Sequence, residues 1–458
     1  MPNISSLYSA LSGMNAQRRV MDVTGHNVAN ESTPGYHRQT VQLRAVGGAP
    51  AAAVFAGQAA RPSGVEVLGV ARSQDQLLEA RAVREEAFRA STQLTSTTLQ
   101  RIESVFGEPS DVGLAAQLSE FWGGWSDIVD QPGGLTTRTQ LLERAASLVG
   151  SLHETAASLQ ASRDSAVDRV VSLAIEVNDT AAEVAALNRT IVGNPSASND
   201  LIDRRDVLVA SLAKLTGAIA RPSGNGQVDV YIGGRTVVAG SITQPLDGAG
   251  GALRWALDSQ PVNAPAGEAA ALTATITDIV PRYMTALDDV AATLVAQVNA
   301  LHSLGYDQTG NTGRNFFDPA GVTAASIELS VDVAGLPQNI AAGAPVLPGP
   351  TAPGPLDAEQ ARQLAALADG AAGPDAKYRS MIGGLAVETR GAIRRASVQE
   401  QVADAAVSDA DQVGAVSTDE EMANLIAAQR AFEASARVLT AIDELLGILI
   451  ERTGVVGR

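Results

Sequence analysis

One stretch of this chain limits its fold more than any other feature. Between Thr136 and Val192 the only glycine is Gly150, proline is absent, and apolar residues recur at helical spacing. A pattern of this length predicts one rod-like helix or a long helical hairpin. Aromatic residues make up only 3% of the chain, which favours packed helices over a β-sandwich or barrel. We therefore expect a mainly α fold, an elongated helical bundle.

Each end of the chain carries an amphipathic helix. The first is predicted to end at Asn30, because Pro34 disfavours helix before it. The last is predicted to begin at Ser417, which forms a capping box with Glu420. The apolar stripe of the first helix includes Leu7, Leu11, Met14 and Met21. The stripe of the last helix includes Met422, Leu425, Phe432, Leu439 and Leu446. Nothing nearby in sequence covers either stripe, so we expect the N- and C-terminal helices to pair like a coiled coil.

The middle of the chain also predicts a small β-rich part. Val228–Ile232 and Arg235–Val238 are β-prone runs joined by a Gly-Gly pair, which is a strong signal for a two-residue hairpin turn. Residues 316–356 are rich in glycine, proline and β-formers, and positions 348–355 read Pro-Gly-Pro-Thr-Ala-Pro-Gly-Pro. That segment predicts a short outer insert or surface linker.

Charge and composition argue against several classes of function. The formal net charge is −17, with 50 acidic against 33 basic residues, so a phosphate backbone would be repelled over most of the surface. There is no cysteine, which removes disulfides, thiol nucleophiles and cysteine-based metal sites. No apolar run approaches the roughly 18 to 20 residues that a membrane span needs. The N-terminal residues also lack the pattern of a cleaved secretory signal.

A search for an active site finds none. Histidines 26, 37, 153 and 302 show no ligand spacing, and we interpret each as structural or exposed. Three carboxylates, Asp200, Asp203 and Asp206, recur at helical spacing. The interleaved arginines at 204 and 205 favour pairing within that helix over a carboxylate site. No catalytic, cofactor-binding or metal-ligating residue is therefore predicted.

Two terminal segments resemble flagellar axial proteins. Residues 27–39 contain Asn30 and the run Thr33-Pro34-Gly35-Tyr36, which resembles the rod/hook signature. Residues 416–438 resemble the matching C-terminal motif. Three interior motifs, at 199–206, 226–230 and 299–311, narrow the resemblance to the flagellar hook-associated protein 1 family of the hook–filament junction. The resemblance covers roughly 1–316 and 357–452, with Glu31, Ser32 and His37 departing from the commonest family residues.

The resemblance implies a structural role rather than catalysis. It implies a subunit exported through the flagellar type III apparatus, without a cleaved signal peptide, to an extracellular position at the hook–filament junction. The implied partners are further copies in a ring or helical layer, the hook protein, the second junction protein and an export chaperone on the C-terminal helix. It implies no cofactor, no nucleic acid and no membrane insertion.

The sequence predicts three regions. An inner terminal-helix domain joins 1–35 to 414–458, and a helical domain with a hairpin near 226–240 spans 36–315 and 357–413. The short outer insert is 316–356. The competing functions are a cytosolic helical scaffold or binding module, another flagellar axial protein of the rod or hook, and an enzyme with an unrecognised site.

Overall fold

The computed structural model describes residues 4–46, 64–194, 198–345, 352–354 and 356–453. Its helices are α1 (Ile4–Asn30), α2 (Gln76–Phe106), α3 (Leu114–Asp130), α4 (Leu135–Gly193), α5 (Ser198–Thr216), α6 (Gly267–Ala274), α7 (Val280–His302), α8 (Glu359–Ala365), α9 (Pro374–Gly414) and α10 (Thr418–Thr453). Its strands are β1 (Gln39–Val46), β2 (Gly64–Arg72), β3 (Ile219–Gly224), β4 (Gln227–Ile232), β5 (Arg235–Ala239), β6 (Ile242–Thr243), β7 (Leu246–Asp247) and β8 (Arg254–Trp255). The strands form three small antiparallel sheets, β1–β2, β3–β4–β5–β6 and β7–β8. The mainly α, elongated fold predicted from the sequence is confirmed.

The long central stretch is one helix and not a hairpin. α4 has 59 residues, which corresponds to about 88 Å at ~1.5 Å per residue. Its two halves line different apolar cores. The first half packs with α3, α7 and α9 around buried residues such as Phe121, Trp125 and Phe316. The second half packs with α5 and the four-stranded sheet, around residues such as Val177 and Val230. α4 therefore joins the two cores as a continuous strut.

The predicted hairpin is confirmed. β4 and β5 pair with Ile232 opposite Arg235, leaving Gly233 and Gly234 as the two-residue turn. Both glycines have positive φ, +56° and +88°, as the tightest hairpin turns require. The side chain of Asn188 on α4 donates to the carbonyls of Val228 and Gly240 over 2.8 and 2.7 Å. The sheet is thereby fixed to the long helix.

α6 and α7 form one continuous helix with a short π-helical stretch between them. The stretch covers Thr275–Ile279 and comes just before Pro281. Because proline has no backbone N–H to donate, a local widening of the helix removes the conflict. The continuous helix begins at Gly267.

The segment predicted as an outer insert or linker is largely part of the core. Phe316 and Phe317 are fully buried, and their backbone N–H groups both donate to Asn299 Oδ1 over 2.9 Å. His302 accepts from the N–H of Ala341 over 2.9 Å and bonds the carbonyl of Arg314 over 2.8 Å. The linker prediction is thus wrong for residues 316–345, because α7 supplies the polar groups that this irregular chain needs. Most of the stretch 348–355 lies outside the described residues.

The first and last helices pack side by side and antiparallel. Asn27 contacts Glu421 at one level, and a Cβ atom on Gly13 would lie 3.4 Å from Ser435 Oγ at another. The sequence separation between these two contacts is the same on both helices, so one register holds along the pair. An adjacent side of α1 is covered by the β1–β2 hairpin, where the N–H of Val65 donates to Ser12 Oγ over 3.1 Å.

The seam between the two helices is shifted from the predicted stripe. On α10 its positions alternate by four and three residues: Glu421, Leu425, Ala428, Phe432, Ser435, Leu439, Ile442 and Leu446. Of the predicted residues, Leu425, Phe432, Leu439 and Leu446 lie on it, half-buried, as are Leu7, Met14 and Met21 on α1. Leu11 and Met422 are 40% and 49% exposed, so the pair alone does not bury them, and their place in a subunit interface stays a prediction. Buried Glu421 takes the place expected for Met422 because it has polar partners there.

Candidate functional site

A group of polar side chains lies where the terminal pair meets the rest of the chain. We call it the polar junction, and it consists of Asn27, His37, Arg38, Gln39, Arg72, Asp203 and Glu421. It joins the end of α1, the following loop, the β1–β2 hairpin, α5 and the start of α10. Asn27, Asp203 and Glu421 are almost fully buried. Each of them forms a hydrogen bond with a residue of another element.

Asn27 is the centre of the junction. Its Nδ2 donates to the carbonyl of Gln39 over 2.9 Å and to Glu421 Oε2 over 2.8 Å. Its Oδ1 accepts from the N–H of Gln39 over 2.9 Å and from the hydroxyl of Tyr36 over 2.8 Å. The residue is 1% exposed, and its amide makes every hydrogen bond available to it.

The first turn of α10 is held by a buried ion pair. Arg38 Nε donates to Glu421 Oε1 over 2.7 Å, and the Glu421 side chain is 2% exposed. The backbone N–H of Arg38 also donates to the carbonyl of Gly414, at the end of α9, over 2.8 Å. Within the capping box the N–H of Glu420 lies 3.5 Å from Ser417 Oγ. Glu421 therefore fixes the helix through the junction, in addition to the cap.

His37 forms a second charged group with α5. Its Nδ1 bonds Asp203 Oδ1 over 2.8 Å, and its Nε2 bonds Glu79 Oε1 over 3.1 Å. These two hydrogen bonds, Asp203 first, raise the pKa of His37 to about 9. Arg72 donates to Asp203 Oδ1 over 2.5 Å and to Asp206 Oδ2 over 3.0 Å. Two cationic side chains thus share the carboxylates of α5.

These contacts correct the interpretation of the α5 carboxylates. Asp203 and Asp206 bind residues of the loop and of β2, and Asp200 accepts from Gln39 Nε2 over 2.8 Å. Arg205 donates to the carbonyl of Gly226 over 2.6 Å. The only pair within the helix joins Arg205 to the adjacent Asp206 over 3.1 Å. Pairing within the helix is therefore the smaller part of their role, because α5 faces the loop and hairpin along this side.

Two consecutive turns in the Thr-Pro-Gly-Tyr loop place Tyr36 against the polar junction. Asn30 accepts from the N–H of Thr33 over 2.9 Å, and the N–H of Tyr36 donates to Thr33 over 3.1 Å. Pro34 is exposed between these turns. Gly35 has φ +74°, and a Cβ atom there would lie 2.2 Å from Val207 Cγ2. Only glycine fits this position, on both conformational and steric grounds.

Tyr36 completes the loop. Burial, followed by the nearby Asp200, raises the pKa of its hydroxyl well above its usual range. The hydroxyl donates to Asn27 and lies 3.0 Å from His26 Nδ1. Tyr36 therefore stays protonated and serves as a neutral hydrogen-bond donor at all ordinary pH values.

The polar junction links distant elements of the chain through buried hydrogen bonds and ion pairs. In the described ranges no three His, Cys, Asp or Glu side chains converge as metal ligands would. Among the helices that the structure describes, none combines the length and apolar character that a membrane crossing demands. Sequence reasoning missed the roles of Asn27, Arg38 and Glu421, although all three lie inside the motifs that carry the family resemblance.

Comparisons with known proteins agree with one another. Residues 99–317 match the helical domain of the flagellar hook-associated protein FlgK. Residues 7–37 match the flagella basal body rod protein family, and residues 415–452 match the C-terminal part of the flagellar basal body rod FlgEFG proteins. The two terminal matches cover α1 with its loop and α10, and so include both sides of the polar junction.

Two individual relatives are both named flagellar hook-associated protein 1. Flagellar hook-associated protein 1 of Bacillus subtilis is 26% identical over 509 aligned positions, which cover 99% of this chain and 99% of that protein. The protein of the same name from Salmonella typhimurium is also 26% identical, over 69% of this chain and 59% of its own length. A solved structure of the flagellar hook junction protein FlgK from Burkholderia pseudomallei aligns with a TM-score of 0.48 and 22% identity, over 53% of this chain and 46% of that one. The resemblance seen in the sequence is confirmed: this chain is similar to flagellar hook-associated protein 1 over nearly its whole length.

Proposed function

We propose that this structural protein of the bacterial flagellum joins hook to filament through its paired terminal helices, held in place by the polar junction. The relatives' names support the flagellar role. The observation that carries the mechanism is the state of the terminal pair. Leu425, Phe432, Leu439 and Leu446 are only half-buried along the seam, and Leu11 and Met422 are exposed. A pair of helices that needs no further partner exposes less apolar surface than this pair does. We therefore expect neighbouring subunits to cover the exposed apolar residues.

The proposed division of labour has two parts, because residues 316–345 belong to the body and not to a separate outer insert. Residues 1–35 and 414–458 form the inner part that packs against other subunits, and the two-core body with α4 as its strut forms the outer part. The junction sets the angle between them. Buried, fully bonded polar groups favour one arrangement, since any other leaves charges without partners.

The proposed partners are other flagellar components. Copies of this chain form a ring or helical layer between the hook protein and the second junction protein, outside the cell. An export chaperone holds α10 before assembly, and export proceeds without cleavage of a signal peptide. The chain acts without catalysis. The family resemblance supports each of these points, and the exposed apolar residues of α10 supply the surface that a chaperone would cover.

Substitution of an exposed seam-edge residue tests the proposal. Met422→Asp adds charge at a position that is 49% exposed, so we expect the free protein to fold with an unchanged melting curve. Cells that make this variant in place of the native chain should have hooks without filaments. Leu257→Asp is the matched control, because Leu257 is 85% exposed on the body, and these cells should keep their filaments.

Removal of α10 gives a second readout. A chain truncated before Ser417 keeps both apolar cores, so it should retain most of its helical circular dichroism. It should nevertheless fail to support filaments. Normal filaments on such cells would contradict the junction role and favour the competing interpretation as a cytosolic scaffold.

A further inference from the structure

The outer face of α9 is unusual in so acidic a protein. Positions 383, 387, 390, 394, 398 and 401 recur at helical spacing on the side away from buried Leu385, Thr389 and Ala392, and none of them is acidic. Val387 and Val398 are 71% and 61% exposed. In the part of the chain that the structure describes, exposed Arg390 and Arg394 form no ion pair or side-chain hydrogen bond.

A face of opposite charge occurs on α4. Positions 164, 168, 171, 175 and 179 recur with the same helical spacing, away from buried Val170 and Leu173. Three of them are exposed aspartates. The other two, Val171 and Ile175, are 41% and 59% exposed. Each face therefore combines exposed branched apolar side chains with charges of one sign.

The acidic face has few partners of its own. Asp164 accepts one hydrogen bond, from Gln160 over 2.8 Å. The carboxylates of Asp168 and Asp179 bond no side chain among the described residues. Charges without local partners, next to exposed apolar groups, are typical of a surface that another protein covers.

The two helices run in the same direction within one chain. α4 is antiparallel to the continuous α6–α7 helix, since Arg163 Nε contacts the carbonyl of Ile276 over 3.5 Å and Arg169 pairs with Glu268 over 2.6 Å. α7 is antiparallel to α9 as well, as the next contacts show.

The ion pairs between α7 and α9 also show where α9 lies along the length of α4. Arg282 pairs with Glu388 over 2.9 Å, and Lys377 pairs with Asp289 over 2.7 Å. Ile276 and Arg282 are close on the same helix, about 9 Å apart at ~1.5 Å per residue. Asp164 on α4 thus lies at about the level of Arg394 on α9, and the two helices are parallel. Copies related by rotation about the long axis, with a shift of about four residues or ~6 Å along it, would bring the two faces together.

We propose that the outer face of α9 binds the outer face of α4 in a second copy of this chain, with the helices parallel. The facing pairs are Arg390 with Asp164, Arg394 with Asp168, and Val398 with Val171. The contact joins two different patches, so it propagates around a layer of subunits instead of closing as a dimer. It rests on the proposed function, because the layer supplies the parallel copies.

Disulfide formation tests the contact directly. The chain has no cysteine, so Val398→Cys with Val171→Cys introduces the only two thiols. Mild oxidation should give a ladder of trimers and larger species on a denaturing gel, because each copy bonds two neighbours. Each single-cysteine variant is a control and should not extend beyond dimers. A ladder from Val387→Cys with Val171→Cys alone would overturn the proposal, since it requires either antiparallel helices or a parallel register shifted by about three turns.

Charge exchange supplies the second test, in the same cysteine background. Arg390→Glu with Arg394→Glu should lower the ladder yield about tenfold or more, as should Asp164→Arg with Asp168→Arg, because like charges then meet. The variant with all four changes should recover the ladder to within about twofold, since the charges are complementary again. Failure of that recovery, with normal circular dichroism, would overturn the pairing.

Two kinds of sample distinguish a failure of the α9–α4 contact from a failure of the proposed function. Oxidation is carried out on isolated flagella and, in parallel, on the concentrated purified chain. Absence of the unaltered chain from flagella would overturn the proposed function. Filaments together with no ladder in either sample would overturn only the α9–α4 contact. A ladder in either sample that responds to charge exchange supports the contact.

Discussion

Asn27 Nδ2 donates to Glu421 Oε2 over 2.8 Å and so joins the first helix of the chain to the last. Both residues are almost fully buried, at 1% and 2% exposed. The same Glu421 side chain pairs with Arg38 in the loop after α1. One carboxylate thus connects the terminal pair with the body, which makes the base of the pair its most firmly held part.

Loss of the buried carboxylate should destabilise the base of the pair. Glu421→Ala removes the partner of one buried Asn27 N–H and the close partner of Arg38, which keeps only the exposed Glu420 at 3.9 Å. We expect a loss of about 3 kcal/mol in the free energy of unfolding. Urea denaturation followed by circular dichroism measures it. The adjacent Glu420→Ala is the control, because the Glu420 side chain is 68% exposed, and its effect should stay below about 0.5 kcal/mol. Equal effects of the two variants would contradict a special role for Glu421.

The Thr-Pro-Gly-Tyr loop should not tolerate a side chain at Gly35. With φ at +74° and Val207 Cγ2 only 2.2 Å from the added Cβ, Gly35→Ala is expected to cost about 2 kcal/mol or more of stability. Gly25→Ala is the matched control, since no atom lies within 4 Å of its added Cβ. In mid-helix that change should stabilise by up to about 1 kcal/mol. Opposite signs in thermal melts would confirm the distinction.

The charge on His37 predicts weakening at alkaline pH. The folded-state pKa of about 9 lies above the unfolded value of 6.5, so the folded protein holds this proton more tightly. The resulting stability is fully present below pH 6.5 and is lost as the pH rises through 9. We expect on the order of 2 kcal/mol across that window, allowing for solvent at a partly exposed group. The variant His37→Gln should lack this part of the pH dependence in urea titrations.

His302 predicts the opposite response, at acid pH. Burial lowers its folded-state pKa to about 4, below the usual 6.5, and outweighs the hydrogen bond to the Arg314 carbonyl, which raises it. The other ring nitrogen accepts from the N–H of Ala341, which only the neutral ring can do. The stability it contributes is present above pH 6.5 and is lost as the pH falls through 4. His302→Asn should be less stable at neutral pH and should lose less on acidification than the native chain. Parallel curves for the two proteins would contradict this assignment.

Amide exchange should show uneven order in the terminal pair. In the free protein we expect slow exchange over residues 141–191 of α4 and fast exchange over the part of α10 from Leu439 onward. Two paired helices alone offset little of an ordering cost of roughly 1–2 kcal/mol per residue. Positions near Glu421 should be intermediate, because the polar junction holds them. Protection at Leu446 equal to that of α4 would show that the pair is complete without further subunits.

Local sequence signals determined most of the helices and one hairpin. The run without proline from Thr136 to Val192 could only be helical, and Gly233-Gly234 between β-branched runs could only turn tightly. Such features depend on residues close together in the chain, so they can be recognised without the fold. The motifs at both ends likewise carried the family resemblance.

Tertiary structure decided what each polar side chain does. Asp203 has arginines beside it in sequence, yet it bonds His37 and Arg72 from distant elements. Residues from Phe316 onward have the composition of a linker, yet Asn299 and His302 supply hydrogen bonds that let them enter the core. Glu421 replaces the expected apolar Met422 on the seam for the same reason. The partner of a buried polar group is set by geometry across the fold, because any complementary donor or acceptor brought within reach will satisfy it.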